Sequence, residues 1–229
     1  MRKQRSKRYK TLLEDSKDKK IETIENAIKK VRANCTTKFD ESIDVSFMLN
    51  LKQKKEEVGL RTVVNLPNGN GKKIKVAVLC EENKVKEAKD SGADLFGSEN
   101  LVNDITNGKI NFDKIIATPA MMPKMGKLGK ILGPKGLMPN PKLGTVTNDV
   151  KSAVMSLKSG QIEIRNDKDG NVAASIGKKS FSDIKIIQNF NSVIETLLKE
   201  KPSGIKGKFI LSTFLTSTMG ISYKLKLGK

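Results

Sequence analysis

The sequence predicts an α/β protein built from two domains, one inserted into the other. Both ends of the chain carry strictly alternating strands, such as SIDVSFMLN and ISYKLKLG, beside amphipathic helices. The middle carries nearly continuous apolar runs separated by short helical stretches, which is typical of a parallel sheet covered on both faces. We therefore expect residues 1–66 and 160–229 to form a discontinuous α+β domain, and residues 67–159 to form an inserted α/β domain.

The first part of the discontinuous domain begins with a predicted helix over residues 23–33. Thr23 is its expected N-cap, and its apolar residues recur at helical spacing. SIDVSFMLN then alternates as a half-buried strand, and RTVVNL, residues 61–66, is a second strand.

The last part contains four predicted strands and one long helix. The strands QIEIR and VAASIGK are joined by DKDGN, whose Asp-Gly pair is a strong turn signal. The helix runs from an N-cap at Ser182 to about Glu200. Its predicted buried face consists of Ile187, Phe190, Ile194, Leu197 and Leu198. FILSTFLT and ISYKLKLG are the remaining strands, the second with a basic outer face.

The inserted domain has two buried strands, IKVAVLC at 74–80 and DKIIATP at 113–119. One helical stretch ends at Gly92, a second is capped by Ser98, and a third spans 147–158 with Thr147 as its cap. The chain crosses between the domains twice, so we expect a double-stranded hinge. Its candidate residues are Pro67, Gly69, Gly71 and Gly160.

The charge of the chain indicates a polyanionic partner. Lysine and arginine outnumber the acids 44 to 25, for a net charge of +19. The excess is spread over residues 1–66 (17 basic, 10 acidic), 67–159 (15 and 9) and 160–229 (12 and 6). Nucleic acid is the favoured polyanion, and an anionic membrane surface is the rival. No apolar run reaches the roughly 18 residues of a membrane span, and no secretory signal is visible, so we expect a cytoplasmic protein without a membrane partner.

The residue types present exclude much enzyme chemistry. The chain has no histidine, which removes Ser-His-Asp and Cys-His catalysis and imidazole as a general base. Cys35 and Cys80 are too few for a zinc site or a disulfide scaffold, and each is expected to be a small buried apolar residue rather than a nucleophile. We expect no metal and no cofactor.

The segment KMGKLGKILGPKGLMPNPKLG, residues 124–144, combines lysine, glycine and proline and contains no acid. A Walker A loop requires GxxxxGK[ST] and a dinucleotide site requires GxGxxG, and neither spacing occurs here. The pattern instead predicts an exposed loop, stiffened by proline, whose lysines contact phosphates as point charges. The candidate contacts are Lys127, Lys130, Lys135 and Lys142.

Three segments of the discontinuous domain carry residue types that RNA-binding proteins use. In TTKFDES, Phe39 beside Lys38 either staples the end of the preceding helix or stacks on a base. STFLTSTMGIS is either a Thr-rich strand of high β-propensity or a surface whose short hydroxyls and bare glycine admit RNA backbone. RNDKDGN is a hairpin tip at which Arg165 and Lys168 can add phosphate contacts.

These segments resemble the family of large-subunit ribosomal protein L-one, in its bacterial or organellar form. The matching segments run in family order over nearly the whole chain: KRYKTLLE, TTKFDESIDVSFMLNL, VGLRTVVNLPNGNGK, GADLFGSE, NFDKIIATP, KLGKILGPKGLMPNPKLGTV, GQIEIRNDKDGNV, IGKKSF and LSTFLTSTMGIS. The long glycine- and proline-rich segment is highly specific to this family.

The resemblance implies a Rossmann-like, three-layer α/β domain inserted into a split α+β domain. It implies that the split domain binds large-subunit rRNA through Lys38, Phe39, Ser42, Asp167, Lys168, Ser212, Thr218, Met219 and Gly220. It further implies a free monomer that assembles into the ribosome, forms its mobile stalk, meets deacylated tRNA at the E site, and represses translation of its own operon mRNA.

Two rival functions remain on the residues alone. One is an enzyme that uses lysine and carboxylate chemistry on a phosphorylated substrate, which predicts turnover. The other is a DNA-binding or nucleoid protein, which requires a helix or ribbon for the major groove. A Thr-rich strand and a flat basic face fit RNA better than either.

Overall fold

The computed structural model describes residues 6–15, 21–51, 59–202 and 205–226. Its α-helices are α1 (Lys7–Asp15), α2 (Ile24–Ala33), α3 (Val85–Asp90), α4 (Glu99–Thr106), α5 (Met122–Lys127), α6 (Gly129–Leu132), α7 (Val150–Lys158) and α8 (Asp183–Lys199). Its strands are β1 (Ser42–Leu49), β2 (Arg61–Asn65), β3 (Val76–Leu79), β4 (Leu95–Gly97), β5 (Lys114–Ala117), β6 (Gln161–Arg165), β7 (Asn171–Lys178), β8 (Ile210–Ser217) and β9 (Tyr223–Leu225). Leu227, the last apolar residue of the predicted final strand, lies outside the described residues.

The chain divides into two compact units, one formed by Met1–Gly71 with Ile162–Lys229 and the other by Lys72–Gln161. The first division falls five residues later than the predicted break after residue 66, because the segment after β2 is fixed to the first unit. Buried Asn189 accepts a hydrogen bond from the Asn68 amide at 3.1 Å and donates to the Gly69 carbonyl at 2.8 Å. The second division falls two residues later than predicted, inside β6.

The split unit contains a four-stranded sheet in the order β7-β1-β8-β9, in which the neighbouring strands are antiparallel. The alternation predicted for β1 is confirmed: Ile43, Val45, Phe47 and Leu49 are buried, and the residues between them are not. Phe47 stacks on Phe190 of α8, with 6.1 Å between the ring centroids. Helices α2 and α8 cover this inner face, which forms the core of the unit.

The predicted pairing of the strands on either side of DKDGN is wrong. β6 pairs with β2 in a separate two-stranded sheet, whereas β7 lies at the edge of the four-stranded sheet. Beyond the hydrogen bonds within the turn itself, its two arms share an isolated antiparallel bridge between Asn166 and Val172 rather than a continuous ladder. The Asn166 amide donates to the Leu60 carbonyl at 3.1 Å, so the chain just before the turn still pairs with the segment that leads into β2.

The buried face of α8 matches the prediction at Phe190 and Leu197 and differs elsewhere. Leu198, expected to be buried, is 51% exposed, and the predicted Ile187 and Ile194 are only half-buried. The other buried residues of the helix, which were not predicted, are Ile186, Asn189 and Val193. Asn189 is stable inside the core because its amide donates to the carbonyls of Gly69 and Ile176, so its polar group is satisfied.

Helix capping also differs from the prediction. Thr23, Ser98 and Ser182 occupy N-cap positions, but none of their side chains makes a capping hydrogen bond. The third helix of the inserted domain begins later than predicted, and Asp149 rather than Thr147 caps it by accepting from the Ser152 amide at 3.1 Å.

The inserted unit is a three-layer α/β structure, so the predicted fold class is confirmed. Its sheet has the order β4-β3-β5 with parallel neighbours. One core cluster buries residues of α4, α5 and α6 against one face, and a second buries residues of α3 and α7 against the other. The sequence did not predict the short strand β4, since three residues are too few to show a period.

The expectation of an exposed loop at residues 124–144 is wrong for several of its apolar side chains. The segment forms the end of α5, α6 and a short 3-10 helix at Pro141–Leu143. Met125, Leu128, Leu132 and Leu143 are buried, because apolar residues at helical spacing face the sheet while the lysines between them face outward. Glycine and proline here end and start short helices rather than stiffen a loop.

Candidate nucleic-acid interface

Six of the predicted RNA-binding residues lie together at one end of the four-stranded sheet. They come from the loop between α2 and β1 and from the turn between β8 and β9. The two segments are joined directly: the Ser42 amide donates to the Thr218 hydroxyl at 3.0 Å, and the Thr218 amide donates to the Ser42 carbonyl at 3.0 Å. We call Lys38, Phe39, Ser42, Thr218, Met219 and Gly220 the loop-and-turn surface.

Two apolar side chains of the loop-and-turn surface are strongly exposed. Phe39 is 53% exposed and Met219 is 47% exposed. Phe39 therefore does not serve as a buried staple for α2, and the stacking interpretation gains support. Lys38 beside it is exposed as well. Gly220 is at a crowded position, since a Cβ there would lie 2.4 Å from the Ser217 hydroxyl oxygen.

Glu41 lies beneath this surface and was not predicted. Its side chain is fully buried, and it accepts hydrogen bonds from the Thr37 hydroxyl at 2.7 Å and the Met219 amide at 3.1 Å. Burial by itself raises the pKa of the Glu41 carboxyl, but these hydrogen bonds outweigh burial, and the net pKa lies below its usual value. The sequence gives little sign of this role, because Glu41 stands beside Asp40 in the polar segment TTKFDES and neither acid is distinguished by residue type.

Arg8 of α1 contacts the same two segments from outside. One guanidinium nitrogen donates to the Met219 carbonyl at 2.8 Å, and another donates to the Thr36 hydroxyl at 3.3 Å. The main chain of Met219 is thus held at both polar groups, its amide by Glu41 and its carbonyl by Arg8.

The loop between β7 and α8 supports the loop-and-turn surface from a further side. The Ser180 amide and hydroxyl donate to the Asp40 carboxylate at 3.1 and 2.8 Å. Lys179 donates to the Cys35 carbonyl at 2.6 Å. Cys35 itself is buried, and burial raises the pKa of its thiol, which supports the prediction that it is an apolar core residue. Cys80 is also buried and has a raised pKa for the same reason.

The remaining three predicted RNA contacts lie at the opposite end of the sheet. Ser212 pairs with Met48, six residues along β1 from Ser42, which corresponds to about 20 Å. The turn bearing Asp167 and Lys168 joins this end, because the Leu49 amide donates to the Gly170 carbonyl at 2.9 Å. The structure therefore does not gather all nine predicted residues in one place.

The Asp167 side chain stabilises its own turn through hydrogen bonds. Its carboxylate accepts from the amides of Asp169 and Asn171 at 3.0 and 2.7 Å, and from the Asn171 side chain at 3.0 Å. The hydrogen bond from the Asn171 side chain, followed by the one from its amide, lowers the pKa of Asp167. Lys168 next to it is exposed, so its ammonium group is available to a ligand while the Asp167 carboxylate is engaged within the turn.

The hydroxyls of STFLTSTMGIS divide between the two faces of β8. Thr213 and Ser217 are buried and point into the unit, so they are not accessible to a ligand. Ser212 and Thr216 are half-buried, and Thr218 is exposed. The sequence could not separate these groups, because a local bulge at Leu211 shifts the alternation of the strand by one residue.

In the inserted unit, the predicted phosphate contacts Lys127, Lys130, Lys135 and Lys142 are all exposed. They project from the outer side of the layer formed by α5, α6 and the following 3-10 turn. Lys124, at the start of the same segment, is instead paired with Glu99 at 2.7 Å.

The predicted hinge residues include three glycines with left-handed backbone: φ is 64° at Gly69, 74° at Gly71 and 107° at Gly160. Such values favour glycine. Across the described parts of the chain, no helix is long and apolar enough to cross a membrane, and no group of three metal-ligating side chains occurs.

Together these features define a basic protein of two α/β units, with one exposed loop-and-turn surface on the split unit and one lysine-bearing layer on the inserted unit. The chain matches the model of the Ribosomal protein L1p/L10e family over residues 31–221. It belongs to this family. The family is structural and non-enzymatic, which confirms the expectation that the chain is not an enzyme.

Similar proteins cover almost the full length of the chain. A protein of Pelagibacter ubique (strain HTCC1062), named "Large ribosomal subunit protein uL1", is 61% identical over 225 residues, which are 98% of each chain. Proteins of the same name from Rickettsia akari (strain Hartford) and Rickettsia rickettsii (strain Sheila Smith) are 45% and 44% identical over 221 residues, 96% of this chain and 92% of theirs.

Proposed function

We propose that this protein is a structural constituent of the large ribosomal subunit in the cytoplasm and that it binds large-subunit rRNA through the loop-and-turn surface. The observation that carries the proposal is the convergence of six predicted contact residues at one end of the sheet, with Phe39 and Met219 strongly exposed. Membership of the family and the names of the similar proteins support the ribosomal setting.

The chemistry of this surface suits RNA. An exposed aromatic ring stacks on a base, and a neighbouring lysine binds a phosphate as a point charge. Thr218 has a structural role, because its hydroxyl accepts a hydrogen bond from the Ser42 amide and donates one to the Ser42 carbonyl. It keeps the loop and the turn in register, and its exposed side is available to a ligand.

The opposite end of the sheet provides a second contact, formed by Lys168 and Ser212 with Asp167 shaping the turn. Because the two ends are about 20 Å apart, one RNA molecule that meets both must be folded or must run along the sheet. A stalk rRNA that presents two backbone segments satisfies this requirement.

The finer functions are proposed on the inserted unit. Its exposed lysines at 127, 130, 135 and 142 contact the backbone of deacylated tRNA at the E site. The crossings near Gly71 and Gly160 act as the hinge of a mobile stalk. Because an mRNA that mimics the rRNA site would meet the same surface, the protein also represses translation of its own operon mRNA. The free protein is a monomer.

Equilibrium binding to a folded stalk fragment of large-subunit rRNA tests the central proposal. The measurement is made at about 0.3 M salt beside an unrelated structured RNA and a DNA duplex of equal length, because non-specific phosphate binding collapses in salt. We expect tight binding to the stalk fragment alone. Phe39→Ala with Met219→Ala should abolish this preference, since both side chains are exposed and no hydrogen bond is broken.

The matched control is Leu198→Ala with Met155→Ala, which removes two apolar side chains elsewhere on the protein that are at least about as exposed, at 51% and 63%. This variant should bind like the wild type. Equally weak binding of the wild type to all three nucleic acids would contradict the proposal. Preference for the duplex would favour the DNA-binding alternative instead.

A further inference from the structure

We propose that Glu41 and Arg8 are positioning residues for RNA recognition: together they clamp the main chain of Met219 and hold the α2–β1 loop and the β8–β9 turn as one preformed unit. Neither residue was predicted to contact RNA. The inference rests on the proposed function, since it concerns how the loop-and-turn surface is kept ready for its ligand.

The two carboxylate oxygens of Glu41 bind two different segments of the chain. One carboxylate oxygen accepts from the Thr37 hydroxyl, in the segment that carries Phe39, and the other accepts from the Met219 amide. Its own carbonyl accepts from the Lys179 amide at 2.8 Å, which anchors the residue to the β7–α8 loop. A single buried side chain thus connects the two segments that carry the exposed Phe39 and Met219.

A buried carboxylate is costly unless its lone pairs are satisfied. Here the carboxylate accepts from the neutral hydroxyl of Thr37 and from the neutral amides of Thr37 and Met219. A hydrophobic residue could fill the same space without needing those donors, yet it could not fix where the Thr37 hydroxyl and the Met219 amide lie. The arrangement therefore gives up some stability and gains a defined geometry of the two segments.

Arg8 completes the clamp from the solvent side. It reaches both the Met219 carbonyl and the Thr36 hydroxyl, so it joins the same two segments that Glu41 joins from within. Preformed loops bind more tightly because less conformational entropy is lost on binding. Loss of either half of the clamp should weaken RNA binding even though neither residue needs to touch RNA.

The test compares Glu41→Ala, Glu41→Gln and Arg8→Lys for binding to the stalk rRNA fragment. Glu41→Ala should raise the Kd on the order of tenfold, because the loop and the turn lose their common acceptor. Glu41→Gln should restore most of the affinity, since its amide oxygen can accept from Met219 and its NH₂ can donate to the Thr37 hydroxyl. Arg8→Lys keeps the charge but loses the two-pronged contact, so it should weaken binding without changing the salt slope.

A double-mutant cycle separates positioning from general weakening. If Glu41 acts by holding the segment that bears Phe39, then Glu41→Ala and Phe39→Ala together should cost less than the sum of their separate effects. Asp40→Asn is the control, because this neighbouring carboxylate binds Ser180 and not the β8–β9 turn. It should combine additively with Met219→Ala.

The outcomes are distinguishable. Specific binding by the wild type that Glu41→Ala leaves unchanged, or strictly additive effects of Glu41→Ala and Phe39→Ala, would overturn the positioning role alone. Failure of the wild type to prefer the stalk fragment would overturn the proposed function itself. A Glu41→Gln variant that is folded by circular dichroism but binds as poorly as Glu41→Ala would also count against the clamp.

Discussion

Glu41 links the loop-and-turn surface to the pH dependence of stability. Its pKa in the folded protein lies below the usual value of a glutamate, so between the folded and the unfolded pKa the unfolded chain binds more protons than the folded one. The stabilisation is fully present above the unfolded pKa and is lost as the pH falls through the folded pKa. At neutral pH the carboxylate is ionised and both of its hydrogen-bonded partners are held.

Replacement of Glu41 by Gln should therefore make the free energy of unfolding depend less steeply on pH in the acidic range. The free energy of unfolding of the wild type, measured by urea titration at several pH values, should fall more steeply below about pH 4.3 than that of Glu41→Gln. Glu200→Gln, at an exposed glutamate of the same unit, is the control and should keep the steepness of the wild type. Parallel curves for wild type and Glu41→Gln would show that Glu41 is not held in the folded state.

Gly170 is a position where both backbone conformation and space require glycine. Its φ is +83°, and a Cβ there would lie 2.9 Å from the Leu49 carbonyl oxygen. This approach is what allows the Leu49 amide to donate to the Gly170 carbonyl and brings the Lys168 turn to the end of the sheet.

The matched glycine in the same unit is Gly207, which has nearly the same φ of +81° but no atom within 4 Å of an added Cβ. Gly207→Ala should cost about 1–2 kcal/mol of stability from the left-handed backbone alone. Gly170→Ala should cost more by roughly 1–3 kcal/mol, since buried backbone must also shift. Equal losses in urea titrations of the two variants would mean that the close approach carries no strain.

At the scale of elements, α7 shows how a single cap sets where a helix begins. Thr147 has the residue type of a cap, yet its hydroxyl accepts from the Asp149 amide at 3.1 Å, and the helix begins after Asp149. A pattern of apolar residues can identify a helix without identifying its first residue, because several neighbouring polar residues are chemically able to cap it.

Asp149→Ala should destabilise the inserted unit by about 1 kcal/mol, through loss of the hydrogen bond from the Ser152 amide and of a negative charge at a helix N-terminus. Ser98→Ala is the control in the same unit, because Ser98 occupies an N-cap position without making a capping hydrogen bond. It should change stability by no more than a few tenths of a kcal/mol. A loss of equal size in both variants would contradict the assignment of Asp149 as a working cap.

The lysine-bearing layer of the inserted unit matters at the scale of the whole molecule. Reversal of Lys127, Lys130 and Lys135 to glutamate should weaken binding of deacylated tRNA and lower the slope of log K against log salt by about 0.7–0.9 per lost phosphate contact. These lysines point away from the sheet, so the fold should tolerate the change.

The control for this charge reversal uses the opposite layer of the same unit. Lys86, Lys89 and Lys151 are exposed residues of α3 and α7, and their reversal changes the net charge by the same amount. Both variants should bind tRNA more weakly because both lower the net charge. If tRNA is recognised through the α5–α6 layer, the reversal of Lys127, Lys130 and Lys135 should lower the slope of log K against log salt more than the control reversal does. Identical losses would show that the attraction is a property of the net charge alone.

The predictability of the molecule differed between its parts. Alternation in β1 predicted its buried face correctly, because a half-buried strand must place every second residue in the core. In β8 the same rule failed at Leu211, since a bulge depends on the pairing with β1. The prediction for residues 124–144 was wrong for a related reason. Glycine and proline suggested a loop, whereas contact with the sheet stabilises short helices here and buries Met125, Leu128 and Leu132.

The sequence by itself determined the class of the protein, the inserted arrangement of its parts, its basic charge and the motifs that place it in its family. These properties depend on residue type and local order, which a linear chain displays. Tertiary structure alone decided which residues meet. It separated the predicted RNA contacts into two ends of one sheet, paired β6 with β2, and placed Glu41 and Arg8 on either side of Met219. These contacts join residues up to 211 positions apart, and no local pattern carries information over that distance.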